Sequence, residues 1–375
     1  MEPWYRSLAE PEKSQRDALQ SLVKGYAVTE YGRKFDAAAV DGPESFTTSF
    51  PICNYPSLKP VIDQVLDGKD TALLPEKVAR WVMTRGSTGR PKLIPATETF
   101  LSSILSLGAR AIVNFALKKR PGVLRRGVIN LNFPSEVGSI QSAAGAGPYG
   151  YSSGTYAKLN PGLGLARLVP RQEEVDDLGP GIERADWERR FELAYDRAKS
   201  EDMGCVMGVT PVILAFAKYL RMKHSVLPRE LWKLDAMFCT SVSKIQTKYS
   251  PQLRHFFGEV PLVEMYTATE GVFAQQMDEL PYVLPNYDAY FFEVRLGHKV
   301  KGLHQMKRGE WGSLVVSTPL FPRYEIGDLI EAQGKNYFRI LGRARRSVSA
   351  EHVLFNVLTG RIRLRRRSPS PSREG

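Results

Sequence analysis

Three short stretches carry residue types whose spacing suits a phosphorylated ligand. The first is Thr84-Arg85-Gly86-Ser87-Thr88-Gly89-Arg90-Pro91-Lys92. Two glycines, hydroxyls and a lysine follow a β-like run. A turn of this composition offers backbone N–H groups and hydroxyls to an anion, while Lys92 adds a point charge. A Walker A pattern, GxxxxGK[ST], cannot be laid on it, so an ordinary surface loop stays the competing interpretation. The second stretch is Tyr266-Thr267-Ala268-Thr269-Glu270-Gly271, expected directly after a strand. There an aromatic ring can stack on a planar base, and Thr269 and Glu270 can meet a phosphate and its Mg²⁺, because open parallel sheets bind ligands at the carboxyl ends of their strands. The third is Arg323-Tyr324-Glu325-Ile326-Gly327-Asp328. A carboxylate beside a glycine turn can accept two hydrogen bonds from a ribose, each worth roughly 1.5–3 kcal/mol when the acceptor is charged. Taken singly, each of the last two also reads as a plain strand end or solvated turn.

The elements that must position these stretches follow from periodicity. Residues 1–45 show helical spacing in Leu8, Leu19, Leu22 and Val23 and end at Gly42-Pro43. Leu58 to Leu66 continues with helix spacing and stops at Gly68. A short β-like run at 79–84 leads into the first stretch, and Thr97 caps a long apolar-faced helix to Lys118. Strands are expected at 127–133, 204–209, 234–239 and 260–266, with helices at 186–200, 210–221 and 246–257 between them. A loop rich in Gly, Ser and Ala is expected from Gly138 to Gly154. Alternation of strand and helix argues for an α/β fold, a parallel sheet with helices on both faces. From Pro281 short alternating strands predict a smaller β subdomain or barrel. The expected organisation is a helical lead-in (1–47), an α/β core (48–280), a β subdomain (281–342) and a hinge with a basic, disordered tail (343–375).

Composition narrows the function classes. At 375 residues the chain supports two or three units with cores of their own. Cys53, Cys205 and Cys239 form neither a disulfide framework nor a metal pattern, and the five histidines have no ligand spacing. The polar, acidic start lacks the layout of a secretory signal. The longest apolar stretch read from the sequence, Cys205 to Leu220, is interrupted by Pro211 and Lys218. These features lead us to expect a soluble cytoplasmic protein with no membrane contact. The formal charge is +12, of which +7 falls after residue 342, where nine arginines meet two acids. Basicity therefore belongs to the tail and says little about partners of the main body.

Together and in this order, the three stretches resemble the acyl-adenylate-forming superfamily. Thr84–Lys92 is similar to its phosphate loop T-S-G-T-T-G-x-P-K, with Arg85 in place of a small residue. Tyr266–Glu270 is similar to Y-G-x-T-E, with Thr267 for Gly, and Gly327-Asp328 to its ribose-binding pair. Gly342-Arg343 resembles the hinge Gly-Arg. Phe50-Pro51-Ile52, Tyr55, Lys59-Pro60, Ile62, Lys92-Leu93-Ile94-Pro95 and Arg323-Tyr324 resemble the auxin-type acyl-acid amido synthetase branch, although Glu325 stands where that branch has a second Arg. The resemblance implies a large adenylate-forming N-terminal domain and these roles: Thr84, Gly86, Ser87, Thr88, Gly89 and Lys92 hold the β- and γ-phosphates of ATP, and Tyr266 stacks on adenine. Thr269 touches the α-phosphate, Glu270 binds Mg²⁺, Asp328 holds the ribose and Arg343 assists. Lys92, Thr269 and Glu270 would serve catalysis. Val209, Val272 and Phe273 are candidates for an acyl pocket, although such residues are more often plain core.

The implied reaction is ATP-dependent activation of a small-molecule carboxylate as acyl-adenylate, with release of pyrophosphate and acyl transfer to an amine or thiol. Relatives place a further domain after the hinge, where only 32 residues follow Arg343 and none is lysine. The expectation is a truncated C-terminal domain, with a second polypeptide as one way of completing it. Two rivals stand beside this: an impaired nucleotide-binding or partner subunit of the same fold, and nucleic-acid binding through the Arg-rich tail.

Overall fold

Charged and apolar positions alternate at helical spacing through the lead-in, and helices Glu2–Ala9, Pro11–Ala27, Glu30–Lys34 and Pro43–Ser49 result. Their inner faces bury Trp4, Leu19, Leu22, Tyr26, Phe46 and Phe50. Buried Gln15 fixes this bundle to the far end of the chain: its amide donates to the Tyr287 and Tyr290 carbonyls and accepts from Phe292 N. Helix Tyr55–Leu66 begins with a reciprocal Asn54/Ser57 cap, and Gly68 beyond its end takes φ +93°, a left-handed conformation open to glycine.

The structure is a computed structural model that describes residues 1–86, 91–142, 145–160 and 167–344. Three sheets follow the lead-in. One is built from β1 (Arg80–Met83), β2 (Leu93–Ala96), β4 (Gly138–Ser142) and β5 (Gly145–Tyr151), in the order β2-β1-β5-β4. The second contains β3 (Gly127–Asn130), β6 (Leu168–Val169), β7 (Met203–Val209), β8 (Ala236–Thr240), β9 (Leu262–Ala268), β10 (Gly271–Gln275) and β11 (Leu284–Pro285), in the order β11-β10-β9-β8-β7-β3-β6. Its run β6-β3-β7-β8-β9 is parallel, and β10 and β11 close it antiparallel. The third is antiparallel: β12 (Phe291–Leu296), β13 (Lys299–Gly302), β14 (Trp311–Ser317), β15 (Tyr324–Gly334) and β16 (Tyr337–Arg343), in the order β13-β12-β14-β15-β16.

The expected α/β architecture is present. Strands β7 and β8 are buried almost throughout, as strands covered on both faces must be. Ala111 and Phe115 of helix Glu98–Lys118 pack with Phe238 and Met265 on one face. Trp187, Phe191 and Phe216, from helices Arg184–Ala198 and Thr210–His224, pack with Val206 and Met237 on the other.

Several expectations need correction. Residues 138–154 are not a loop but the β4–β5 hairpin followed by helix Ser152–Leu159. Small residues there serve close packing: a Cβ at Gly150 would lie 2.0 Å from the Ser135 carbonyl oxygen, and one at Gly154 would lie 2.0 Å from that of Phe133. Strand β9 runs to Ala268, so Tyr266 sits inside it rather than after it. The apolar run Cys205–Leu220 is divided between β7 and the following helix. The helix long and apolar enough by composition to cross a membrane is instead Glu98–Lys118, and half of its most apolar window is buried inside the protein. The third sheet also has strand β13, which the sequence pattern did not reveal.

Candidate functional site

The site begins with two hairpins. β1 and β2 pair antiparallel, and Thr84 and Lys92 join just beyond their ends: Thr84 N donates to the Lys92 carbonyl, and Lys92 N donates to Thr84 Oγ1, both at 2.9 Å. Within the segment they bracket, Gly86 has φ +66°. Ser87, Thr88 and Gly89 lie outside the described residues, as does the basic tail from residue 345. In the second hairpin Ala268 pairs with Gly271, leaving Thr269 and Glu270 as the two-residue connection between β9 and β10.

Between these hairpins runs β15. Its burial alternates, placing Tyr324, Ile326, Asp328 and Ile330 on the inner face. Tyr324 meets both hairpins. Its hydroxyl accepts from Lys92 Nζ at 3.0 Å and donates to Glu270 Oε1 at 3.1 Å, while Lys92 Nζ lies 3.7 Å from the same carboxylate oxygen. Glu270 is only 4% exposed, and a carboxylate at that depth requires such partners. The Lys92 ammonium also faces the Tyr55 ring, 5.5 Å from its centroid, and the Tyr55 hydroxyl is tied to both N and O of Leu93.

Four residues along β15, Asp328 forms the other half of the site. Tyr266 donates its hydroxyl to Asp328 Oδ2 at 2.8 Å, and Arg343 Nε meets Oδ1 at 2.9 Å. Arg343 is the β16 register partner of Asp328 and also donates to the Ile326 carbonyl. Burial pushes the Asp328 carboxyl above its ordinary range, while Arg343 and the Tyr266 hydrogen bond pull it back; Glu270 and Lys92 also act on it, which places both halves in one electrostatic neighbourhood. Burial, then Asp328, raises the Tyr266 phenol, and burial, then Glu270, raises that of Tyr324. Burial alone would lower the Arg343 guanidinium, but Asp328 and its neighbours raise it overall.

The structure therefore brings Thr84, Lys92, Tyr266, Thr269, Glu270, Asp328 and Arg343 to one place. Four further residues join them. Ser152 Oγ lies 3.1 Å from Thr269 Oγ1, and Tyr156 donates to the Thr269 carbonyl at 3.1 Å; both come from helix Ser152–Leu159, whose first turn overlaps the expected loop. Tyr55 and Tyr324 had only been noted as motif letters. The apolar alternation of β15 was the available signal for Tyr324, since residues 324 and 328 share a strand face. Arg323 turns out to be structural, pairing with buried Glu293 and donating to the Thr47 and Phe50 carbonyls. Glu325, which replaces an expected Arg, faces outward and pairs with Arg295. Val272 and Phe273 pack in the core cluster of the third sheet, and Val209 in that of the parallel sheet.

Comparison with known proteins shows what the chain is similar to. Residues 4–164 match the GH3 family N-terminal domain. Across 85% of its length the chain is 24% identical to "Probable indole-3-acetic acid-amido synthetase GH3.1" of Arabidopsis thaliana, and it spans 64% of that relative. A shorter match, 31% identical over 24% of this chain and 23% of the relative, is to "Probable indole-3-acetic acid-amido synthetase GH3.13" of Oryza sativa subsp. japonica. In fold, the chain superposes on the AtGH3.15 acyl acid amido synthetase in complex with 2,4-DB with a TM-score of 0.71 at 16% identity, covering 91% of this chain and 70% of that one. It also resembles 2-hydroxyisobutyryl-CoA ligase in complex with 2-HIB-AMP, with a TM-score of 0.65 at 16% identity, covering 89% and 68%. Among the described residues the chain has the mixed α/β architecture of the adenylate-forming fold.

Proposed function

We propose that this chain belongs to an enzyme that activates a small-molecule carboxylic acid with ATP and passes the acyl group to an acceptor, an amine in preference to a thiol. The carrying observation is that Lys92, Glu270, Tyr266, Asp328 and Arg343, drawn from distant stretches, meet in two neighbouring sets of hydrogen bonds and ion pairs, both anchored on one face of β15. The amide-forming relatives support the choice of acceptor.

In this reading the carboxylate oxygen bonds the α-phosphorus of ATP as the bond to the bridging oxygen breaks and pyrophosphate leaves with the electron pair. The acceptor nitrogen then bonds the acyl carbon, AMP departs, and the nitrogen gives up its proton. Displacement of this kind is helped mainly by positioning and charge neutralisation. Lys92 supplies a cation for the phosphates, beside hydroxyls from the Thr84–Lys92 segment. Thr269, steadied by Ser152 and Tyr156, faces the α-phosphate. Asp328, held by Tyr266 and Arg343, accepts from ribose hydroxyls, and the Tyr266 ring borders the base.

The donor set suits Mg²⁺ brought in by the nucleotide. The described residues contain no group of three metal-ligating side chains, and Mg²⁺ commonly takes one or two carboxylates and completes its shell with phosphate oxygens and water. Glu270 is that carboxylate, and the ion would offset charge on the phosphates. The free, buried cysteines fit a reducing compartment, and we assign the protein to the cytoplasm.

The test is ATP–pyrophosphate exchange across a panel of carboxylic acids. Some acid should support exchange, and Lys92→Ala or Asp328→Ala should lower it on the order of 10²–10³-fold. No acid-dependent exchange despite demonstrated ATP binding would reject activation and leave a nucleotide-binding subunit.

A further inference from the structure

Tyr324 stands at the centre of the site with no part in the reading so far. Its side chain is 1% exposed, and its ring stacks on Phe321 with centroids 5.1 Å apart. The backbone on either side of it is fixed by Cys53, whose N donates to the Arg323 carbonyl at 3.0 Å and whose carbonyl accepts from Glu325 N at 2.8 Å. The hydroxyl is therefore held by a rigid frame, and it lies between Lys92 Nζ and Glu270 Oε1 at 3.0 and 3.1 Å. The direction of both bonds is forced. An ammonium only donates and an ionised carboxylate only accepts, so the hydroxyl takes a proton contact from Lys92 and gives its own hydrogen to Glu270. Lys92 and Glu270 are 3.7 Å apart, too far for a direct hydrogen bond of good geometry, so the hydroxyl mediates between them. Among the described residues no hydrogen bond falls on Glu270 Oε2.

We propose that Tyr324 is a positioning residue for the nucleotide's divalent cation: its hydroxyl fixes Glu270 by Oε1, leaves Oε2 free for the metal, and keeps Lys92 from closing onto the carboxylate. This rests on the adenylating reading above. Groups that orient a metal-binding carboxylate from behind typically carry 10–100-fold in metal affinity. The Tyr55 ring braces Lys92 from a second side, by cation–π attraction, so the ammonium stays available to phosphate. Without the hydroxyl, Glu270 keeps its burial and loses its hydrogen bond. The nearest remedy is a direct ion pair with Lys92, which ties up both groups the nucleotide needs.

The experiment is a Mg²⁺ titration of the binding of a fluorescent, non-hydrolysable ATP analogue to the full chain. Tyr324→Phe keeps the ring and its packing. It should raise the half-saturating Mg²⁺ concentration about tenfold or more, while affinity at saturating Mg²⁺ stays within about twofold of wild type. Glu270→Asp withdraws the carboxylate from the hydroxyl without touching the core, and should shift the Mg²⁺ requirement in the same direction. The double variant should cost no more than the larger single one, because both remove one contact. A wild-type Mg²⁺ requirement in Tyr324→Phe, or additive effects in the double variant, would overturn the proposal and leave Tyr324 as core packing. If the wild-type chain binds no analogue, or Lys92→Ala binds it equally well, the adenylating reading itself fails and this proposal with it.

Discussion

Lys92 and Asp328 mark the two ends of the site, and their surroundings set what substitutions there do. Lys92 keeps a side-chain exposure of 24% and is held by aromatic rings and an acid, so Lys92→Ala removes the cation and also leaves the buried Glu270 carboxylate without its ion pair. Loss of nucleotide affinity together with a lowered melting temperature is the expected result, measured by calorimetry and thermal unfolding. A different carboxyl governs stability against pH. Glu264, buried on β9 without a counter-ion, is pushed by desolvation to about 7, against 4.5 ordinarily. Its folded value lies above its unfolded one, so its contribution is fully present below about 4.5 and is lost as pH rises through about 7. Glu264→Gln should leave stability at pH 4 nearly unchanged and add on the order of 3 kcal/mol at pH 8, from about 1.4 kcal/mol per pKa unit. Denaturant melts of both proteins at the two pH values check this; equal gains at each would contradict it.

At the scale of elements, the parallel strands and long helices were legible because their signals are local. Apolar runs bounded by helices gave β7, β8 and β9 to within two residues, and Thr97 announced its helix, capping Phe100 N as expected. The β4–β5 hairpin was not legible. Its glycines look like loop residues until one sees that Gly150, and Gly154 in the helix that follows, let backbone segments touch, a relation that exists only in three dimensions. Gly150→Ala or Gly154→Ala should therefore be strongly destabilising, by roughly 1–3 kcal/mol or more as for other overpacked sites, and a melting temperature near wild type would show that the approach can relax. The same division holds within the site. Motif order pointed to Lys92, Glu270 and Asp328, which lie in one neighbourhood, but the positions of Ser152, Tyr156 and Tyr324 beside them depend on who faces whom across sheets. Arg323 was legible as a motif letter only. Structurally it is a clamp, and Arg323→Ala, which leaves Glu293 buried and unpaired, should cost about 3–5 kcal/mol by chemical denaturation.

Over the whole molecule, the proposed nucleotide would contact the first hairpin, the seven-stranded sheet and the antiparallel sheet at once. Any ligand that binds only the folded arrangement adds stability by mass action, about 2.7 kcal/mol at a hundredfold excess over its dissociation constant. ATP with Mg²⁺ should thus raise the unfolding midpoint of the chain as one transition rather than loosening one sheet from another. Two separated transitions, only one of them moved by nucleotide, would show that the sheets unfold independently.

The opening helices are stitched to residues nearly three hundred positions away. Trp4 Nε1 reaches the Pro285 carbonyl, Tyr26 the Thr318 carbonyl, and Asn336 the Leu8 carbonyl. Together with Gln15, these ties make the beginning of the polypeptide a backing plate for the antiparallel sheet that carries Tyr324 and Asp328. A version trimmed to start at residue 48, tidy though it looks on a motif map, would strip that plate away. Phe291 and its neighbours would meet solvent, and the strand bearing two members of the site would lose its support, although no trimmed residue lies near a phosphate.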